Sequence, residues 1–122
     1  MESFLIVDDD TRLSAVYKFL IRVKFKNAFI RCAENGVEAL KIAEESDFSV
    51  LISDVNMPEM DGLTLHKKLK KQQPFLAERT IFITGNADSS NLSYFEKENR
   101  PYLIKPFNPV ALYDCIDRVF GG

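Results

Sequence analysis

"SFLIVDDDTR", residues 3–12, places an apolar run directly before three consecutive carboxylates. The run Phe4–Val7 has the length and composition of a buried strand. Adjacent carboxylates repel each other, so Asp8 and Asp9 lower stability at a strand end unless a positive charge lies near them. Asp10 is better suited to cap the helix that follows. The stretch therefore predicts a buried strand whose end needs a cation.

Four further apolar runs follow along the chain, and each of them precedes a segment with helical periodicity. These runs are Ala28–Cys32, Phe48–Ile52, Thr80–Ile83 and Tyr102–Ile104. Strands that alternate with helices favour a parallel sheet covered on both faces. We therefore expect an α/β fold in one domain that spans residues 1–122.

Helical periodicity predicts that Val16 and Tyr17 lie on the buried face of the first helix. The fourth predicted helix, residues 88–98, is the weakest because Leu92 and Phe95 are its main apolar anchors. Pro101 also prevents this helix from continuing.

Composition excludes several functional classes. The net charge of -2 provides no basic surface for direct nucleic-acid binding. The apolar runs are too short to cross a bilayer and the N-terminus lacks the zones of a signal peptide, which predicts a cytoplasmic domain without membrane contact.

Cys32 and Cys115 share no metal-ligand spacing and are expected to be buried free thiols. His66, beside Lys67 and Lys68, is expected on a solvated helix face.

Polar residues occur at the ends of four predicted strands. Asp8 and Asp9 end the first strand, Asp54 the third, Thr84 the fourth and Lys105 the fifth. In an open parallel sheet these ends form one ligand-binding edge. Hard oxygen ligands suit Mg²⁺, which would neutralise the carboxylates. Asp54 could then accept a phosphoryl group as an acyl phosphate, with Lys105 and Mg²⁺ offsetting charge on the phosphoryl oxygens.

The chain resembles the receiver (CheY-like) domain family of two-component response regulators over essentially its whole length. Four segments carry the resemblance: "IVDDD" at residues 6–10, "LISDVNMPEMDGL" at 51–63, "IFITG" at 81–85 and "YLIKPF" at 102–107. Each segment alone is modest evidence, but together they stand in the family's order and at the expected strand ends.

The resemblance implies a flavodoxin-like (βα)5 three-layer sandwich with strand order 2-1-3-4-5. It implies that the domain is a signalling switch and not an enzyme. The switch would assist its own phosphorylation and dephosphorylation. A sensor histidine kinase or a histidine phosphotransfer domain would supply the phosphoryl group to Asp54. Relatives dimerise or contact outputs through the fourth helix, fifth strand and fifth helix, so a homodimer through that surface is a further expectation.

The resemblance also implies individual roles. Asp8, Asp9 and Asp54 would bind Mg²⁺ together with the backbone carbonyl of Asn56. Pro58 would make the loop after Asp54 rigid.

Three more positions match the family's switch and phosphate-binding residues. Thr84 and Tyr102 correspond to the switch pair, and Lys105 to the phosphate-binding lysine. The peptide bond between Lys105 and Pro106 is expected to be cis. Gly62 would permit the turn into the third helix.

One segment departs from the family pattern. Many relatives carry a Gly-Ala pair before the final strand, where residues 99–101 here read Asn-Arg-Pro. The segment "EKENRPYLIKPF", residues 96–107, resembles receivers fused to hybrid sensor histidine kinases. The departure bears on the output surface and leaves the phosphorylation site unchanged.

Other functional classes fit less well. A small Mg²⁺-dependent phosphatase that forms an aspartyl phosphate needs Asp-x-Asp-x-Thr or Val, and Arg12 occupies the fifth place of that motif here. A flavodoxin needs a hydroxyl-rich phosphate loop, whereas this first loop is acidic. A calcium loop needs a ligand where Pro58 stands. The phosphatase stays an alternative, as does a pseudo-receiver that binds partners without phosphorylation, although the acidic pair, Asp54, Thr84 and Lys105 are all present.

Overall fold

The computed structural model describes residues 2–121, and within them strands and helices alternate along the chain. The strands are β1 (Ser3–Val7), β2 (Phe29–Ala33), β3 (Val50–Asp54), β4 (Thr80–Thr84) and β5 (Tyr102–Ile104). The helices are α1 (Thr11–Lys24), α2 (Gly36–Glu45), α3 (Gly62–Gln72), α4 (Pro74–Ala77), α5 (Ser89–Lys97) and α6 (Pro109–Gly121). Across this part of the chain, no helix combines the length and the apolar composition that crossing a membrane requires.

The strands form a parallel sheet in the order β2-β1-β3-β4-β5. The α/β fold class and the strand order predicted from the sequence are therefore confirmed. The order reverses beside β1, so the carboxyl ends of β1 and β3 lie next to each other at the switch point of the sheet. Val7 pairs with Ser53 in the register, which brings Asp8 beside Asp54.

Both faces of the sheet are buried. Phe4 and Ile6 pack under α1 and α6, whereas Leu5 and Val7 pack under α2 and α3. Successive side chains of a strand point to opposite faces, which explains why β1 is apolar at every position from Phe4 to Val7. Phe82 of β4 and Phe95 of α5 form a smaller cluster with Val55.

The structure corrects three expectations about burial and secondary structure. Val16 is 50% exposed, because the buried positions of α1 are Ser14, Tyr17 and Ile21. Cys32 is exposed, because β2 is an edge strand. The short helix α4 was not predicted, since one turn is too brief to show helical periodicity.

Helix α5 forms where the sequence signal was weakest. Asp88 caps its N-terminus by accepting a hydrogen bond from the backbone N–H of Asn91 at 2.8 Å. At the other end Asn99 adopts φ 54°, the left-handed conformation that commonly terminates a helix. Its N–H donates to Glu96 O, and the next N–H donates to Phe95 O, so the segment before Pro101 completes the helix end.

His66 is buried at 2% exposure, so the predicted solvated position was wrong. Its Nε2 lies 2.9 Å from the carbonyl oxygen of Ala77, and its Nδ1 lies 2.8 Å from the hydroxyl of Tyr94 on α5. A carbonyl oxygen only accepts, so Nε2 carries the proton and Nδ1 of the neutral ring accepts from Tyr94. The ring therefore joins α3 to α4 and to α5.

Candidate functional site

Three carboxylates meet at the carboxyl ends of β1 and β3. Asp8 and Asp54 are 1% and 5% exposed, whereas Asp9 is exposed. One carboxylate oxygen from each residue lies within 4.8 Å of the other two. The sheet order creates this cluster, because β1 and β3 are neighbours.

Lys105 brings a positive charge to the cluster from the end of β5. Its Nζ lies 3.6 Å from Asp8 Oδ2 and 3.4 Å from Asp54 Oδ2. The Lys105–Pro106 peptide bond is cis. One ammonium group thus faces two buried carboxylates and compensates only part of their charge.

Burial is the largest cause that raises the pKa of Asp54, and together with the neighbouring Asp8 carboxylate it brings the pKa to about 6. Lys105 and the backbone N–H of Val55, which donates to Asp54 Oδ1 at 2.9 Å, act in the opposite direction. Burial also raises the pKa of Asp8, although the Asp10 N–H donates to its Oδ1 at 2.8 Å. Desolvation therefore outweighs the available partners at both carboxyls.

The residues present fit a magnesium ion. Oδ2 of Asp8 is buried and has no hydrogen-bond partner among the residues that the structure describes. A hard cation would add positive charge to that of Lys105. It would contact this oxygen and offset the repulsion between the carboxylates. Asn56 is exposed two residues beyond Asp54, so its backbone carbonyl stays a predicted ligand.

A glycine is needed at position 62 because the backbone of β3 lies very close to it, and not because the position has a positive φ. A Cβ at this position would lie 2.3 Å from the carbonyl oxygen of Asp54. The Gly62 N–H donates to Val55 O at 2.8 Å, which holds the start of α3 against the end of β3. Glu59, not a glycine, has positive φ in the loop that also contains Pro58.

Thr84 ends β4 with its side chain turned to the following loop. Its hydroxyl donates to the backbone carbonyl of Asn86 at 2.8 Å and accepts from the Asn86 N–H at 3.0 Å. Tyr102 lies on the neighbouring strand β5, where its ring is 40% exposed and stacks on Phe95 at 5.0 Å. The two residues predicted as the switch pair therefore both contact the region of α5.

Sequence reasoning missed Asn86 and Asn91. Asn86 holds Thr84 through backbone atoms, which leave no signal in the sequence. Asn91 is 8% exposed, although it falls in a segment that was interpreted as loosely held. Asp88 is a favoured helix-capping residue, which was the available signal for the start of this helix but not for the role of the Asn91 side chain.

Comparisons with known proteins agree with this geometry. The family model of the response regulator receiver domain matches residues 4–117. The transcriptional regulatory protein SrrA of Staphylococcus aureus is 36% identical over 109 residues, which cover 86% of this chain and 42% of SrrA. The chain thus spans less than half the length of the curated relatives it matches.

Solved structures show the same architecture. A CheY-like receiver domain protein from Methanospirillum hungatei JF-1 superposes with a TM-score of 0.87 at 28% identity, covering 99% of this chain and 95% of that one. The response regulator TrrA from Thermotoga maritima, in complex with Mg(2+)-BeF, gives 0.81 at 27% identity, covering 98% and 99%. Given the family match over most of its length, this chain belongs to the response regulator receiver domain family.

Proposed function

We propose that residues 1–122 form a single receiver domain that acts as a cytoplasmic phosphoacceptor switch, with Asp54 as the acceptor. The phosphoryl donor would be the phosphohistidine of a sensor histidine kinase or of a histidine phosphotransfer domain. The observation that carries the proposal is the buried carboxyl of Asp54 between Asp8 and Lys105, at the switch point of the sheet.

The two oxygens of Asp54 have different surroundings. Oδ1 accepts the Val55 N–H, whereas Oδ2 faces the ammonium group of Lys105. In the proposed transfer Oδ2 attacks phosphorus, the phosphorus–nitrogen bond breaks, and its electron pair returns to the imidazole of the donor. Lys105 then lies beside the incoming phosphoryl oxygens and stabilises their negative charge.

Asp8, Asp9 and Asp54 would hold Mg²⁺, with the Asn56 backbone carbonyl as a further ligand. A bound magnesium ion would supply positive charge that offsets the charge of the phosphoryl oxygens. The support from this chain is the convergence of the carboxylates and the buried Oδ2 of Asp8, which accepts no hydrogen bond within the described residues.

The exposed apolar side chains of α1 suit the docking of a phosphodonor protein. Val16, Phe19 and Val23 are 50%, 68% and 56% exposed and follow one another at helical spacing along a single stripe. Helix α1 begins at Thr11, directly after the acidic residues, and the stripe begins in the second turn of this helix. A donor that packs on this stripe would bring its phosphohistidine to the carboxylates.

The proposed response begins at Thr84. Its hydroxyl would leave the Asn86 carbonyl and donate to a phosphoryl oxygen on Asp54, and the ring of Tyr102 would turn toward the vacated space. The changed surface would consist of α5, β5 and α6, through which the domain would form a homodimer or contact its output. Water would later release the phosphoryl group from Asp54, a step that the domain itself assists.

Intact-mass measurement tests the phosphoacceptor role. Incubation with acetyl phosphate and Mg²⁺ should add the mass of one phosphoryl group to the wild-type chain. Asp54→Asn or a chelator should abolish the addition. An equal addition to the Asp54→Asn variant would refute Asp54 as the acceptor.

A further inference from the structure

Asn91 lies in the first turn of α5 and connects this helix to Thr84. Its side-chain Nδ2 donates to the backbone carbonyl of Asn86 at 3.2 Å, and the residue is 8% exposed. The hydroxyl of Thr84 donates to the same carbonyl at 2.8 Å. The Asn86 carbonyl is therefore a shared acceptor between the end of β4 and the start of α5.

The Asn91 side chain is held by the helix, whereas the loop it contacts is exposed at Gly85 and Asn86 and is held mainly by hydrogen bonds. The backbone N–H of Asn91 donates to the capping carboxylate of Asp88 at 2.8 Å, which fixes the residue in the first turn. Gly85, between Thr84 and Asn86, has so much space that an added Cβ would meet no atom within 4 Å. Because packing contributes little around Gly85, hydrogen bonds have a larger share in holding this loop.

We propose that Asn91 is a positioning residue that stabilises the resting arrangement of Thr84. The inference rests on the proposed function, because it takes Thr84 as the residue that responds to a phosphoryl group on Asp54. To donate to that group, the Thr84 hydroxyl must leave the Asn86 carbonyl. In the proposed rearrangement the Asn86 carbonyl moves away from Asn91 as the loop follows Thr84, so the hydrogen bond from Asn91 adds to the free-energy cost.

A purely structural role for Asn91 predicts the opposite result. If Asn91 only supported α5, its truncation would loosen the helix and would leave the affinity for a phosphoryl mimic unchanged or lower. A role in holding Thr84 predicts higher affinity, because the resting state loses a stabilising contact that the engaged state does not need.

Affinity for beryllofluoride in the presence of Mg²⁺ separates these roles. Asn91→Ala should bind the mimic about fivefold more tightly, the effect of one ordinary hydrogen bond. Asn91→Asp, which keeps the volume but cannot donate when ionised, should shift affinity in the same direction. Ser93→Ala, at an exposed position of the same helix, is the matched control and should leave the affinity unchanged. In a Thr84→Ala background, Asn91→Ala should have no further effect.

Unchanged or weaker affinity in both Asn91 variants would overturn the inference, as would an equal gain in the Thr84→Ala background. If Asn91→Ala fails to fold, Asn91→Asp decides by the same criteria. Failure of the wild type to bind the mimic would refute the proposed function instead. In that case, exchange of the Asn86 amide hydrogen without the mimic still tests Asn91. It should be faster in the Asn91 variants than in Ser93→Ala, and equal rates would overturn the inference.

Discussion

The ammonium group of Lys105 lies 3.4 Å from Oδ2 of Asp54, yet the pKa of that carboxyl is raised to about 6. Burial outweighs the ion pair because Lys105 is shared with Asp8 and is itself partly exposed. The site is thus arranged at the expense of stability, as expected where charge is held ready for a ligand.

Replacing Asp54 should stabilise the metal-free domain. Since the folded pKa lies above the ordinary value of 3.8, ionised Asp54 costs stability in full above about pH 6, and this cost disappears as the pH falls toward 3.8. Asp54→Asn should raise the free energy of unfolding at pH 7.5 on the order of 2 kcal/mol. Urea unfolding with a chelator measures it, with exposed Asp47→Asn as the control. A less stable Asp54→Asn variant would contradict this account of the site.

Magnesium affinity should depend on Asp9 far more than on Asp10. Asp9 contributes to the carboxylate cluster, whereas Asp10 caps α1 through the N–H groups of Arg12 and Leu13. Asp9→Asn should weaken Mg²⁺ binding roughly tenfold or more, because the ion loses a charged ligand. Asp10→Asn keeps a good helix cap and should change the affinity little. Titration followed by NMR checks both variants, and equal affinities would remove Asp9 from the metal site.

A methyl group at Gly62 should disturb the phosphorylation site as well as the fold. In Gly62→Ala the Cβ would meet the Asp54 carbonyl oxygen, which is a rigid backbone atom. Relief of this clash should cost about 1–3 kcal/mol of stability and displace Asp54. Gly121→Ala, where an added Cβ meets nothing within 4 Å, is the control. Urea unfolding and the chemical shifts of Asp54 measure the effect, and the account fails if the two variants behave alike.

The contribution of His66 to stability should be lost in mild acid. Burial lowers the pKa of His66, and the nearby charged groups Glu98, Lys70 and Arg100 act in both directions. Because the pKa of His66 in the folded state lies below the ordinary value of 6.5, its contribution to stability is full above pH 6.5. The contribution falls below pH 6.5, where the unfolded chain takes up a proton more readily than the folded state.

A comparison of wild type and His66→Gln by urea unfolding at pH 7.5 and pH 5.5 checks this expectation. The glutamine variant should be less stable at pH 7.5, because Tyr94 and Ala77 lose well-placed partners. The difference should shrink at pH 5.5, where only the wild type has a histidine to protonate. A difference that grows in acid would show that the folded state favours the charged ring.

Much of the fold could be predicted because its signals are local in the sequence. Five apolar runs predicted the five strands. The acidic residues directly after the run Phe4–Val7 indicated which edge of the sheet would bind a ligand. Asp8 and Asp54 are far apart in the chain, and only the order of the strands brings them together. The motif order predicted that arrangement.

Other features depended on contacts that the sequence does not display. Flanking lysines suggested that His66 was solvated, although its spacing with Gly62, Leu65 and Leu69 matches the buried face of α3. The requirement for Gly62 arises from a backbone atom of β3, and the restraint on Thr84 arises from the backbone of Asn86. Tertiary contacts of this kind leave no periodic pattern.

The most direct test of the central claim is to locate the acyl phosphate by chemical reduction. After incubation with acetyl phosphate and Mg²⁺, borohydride converts a phosphorylated aspartate to homoserine, which peptide mass mapping identifies by position. We predict homoserine at position 54 of the wild-type chain and none when a chelator is present. Homoserine at position 8 or 9 instead, or at no aspartate, would contradict the assignment of Asp54 as the phosphoacceptor.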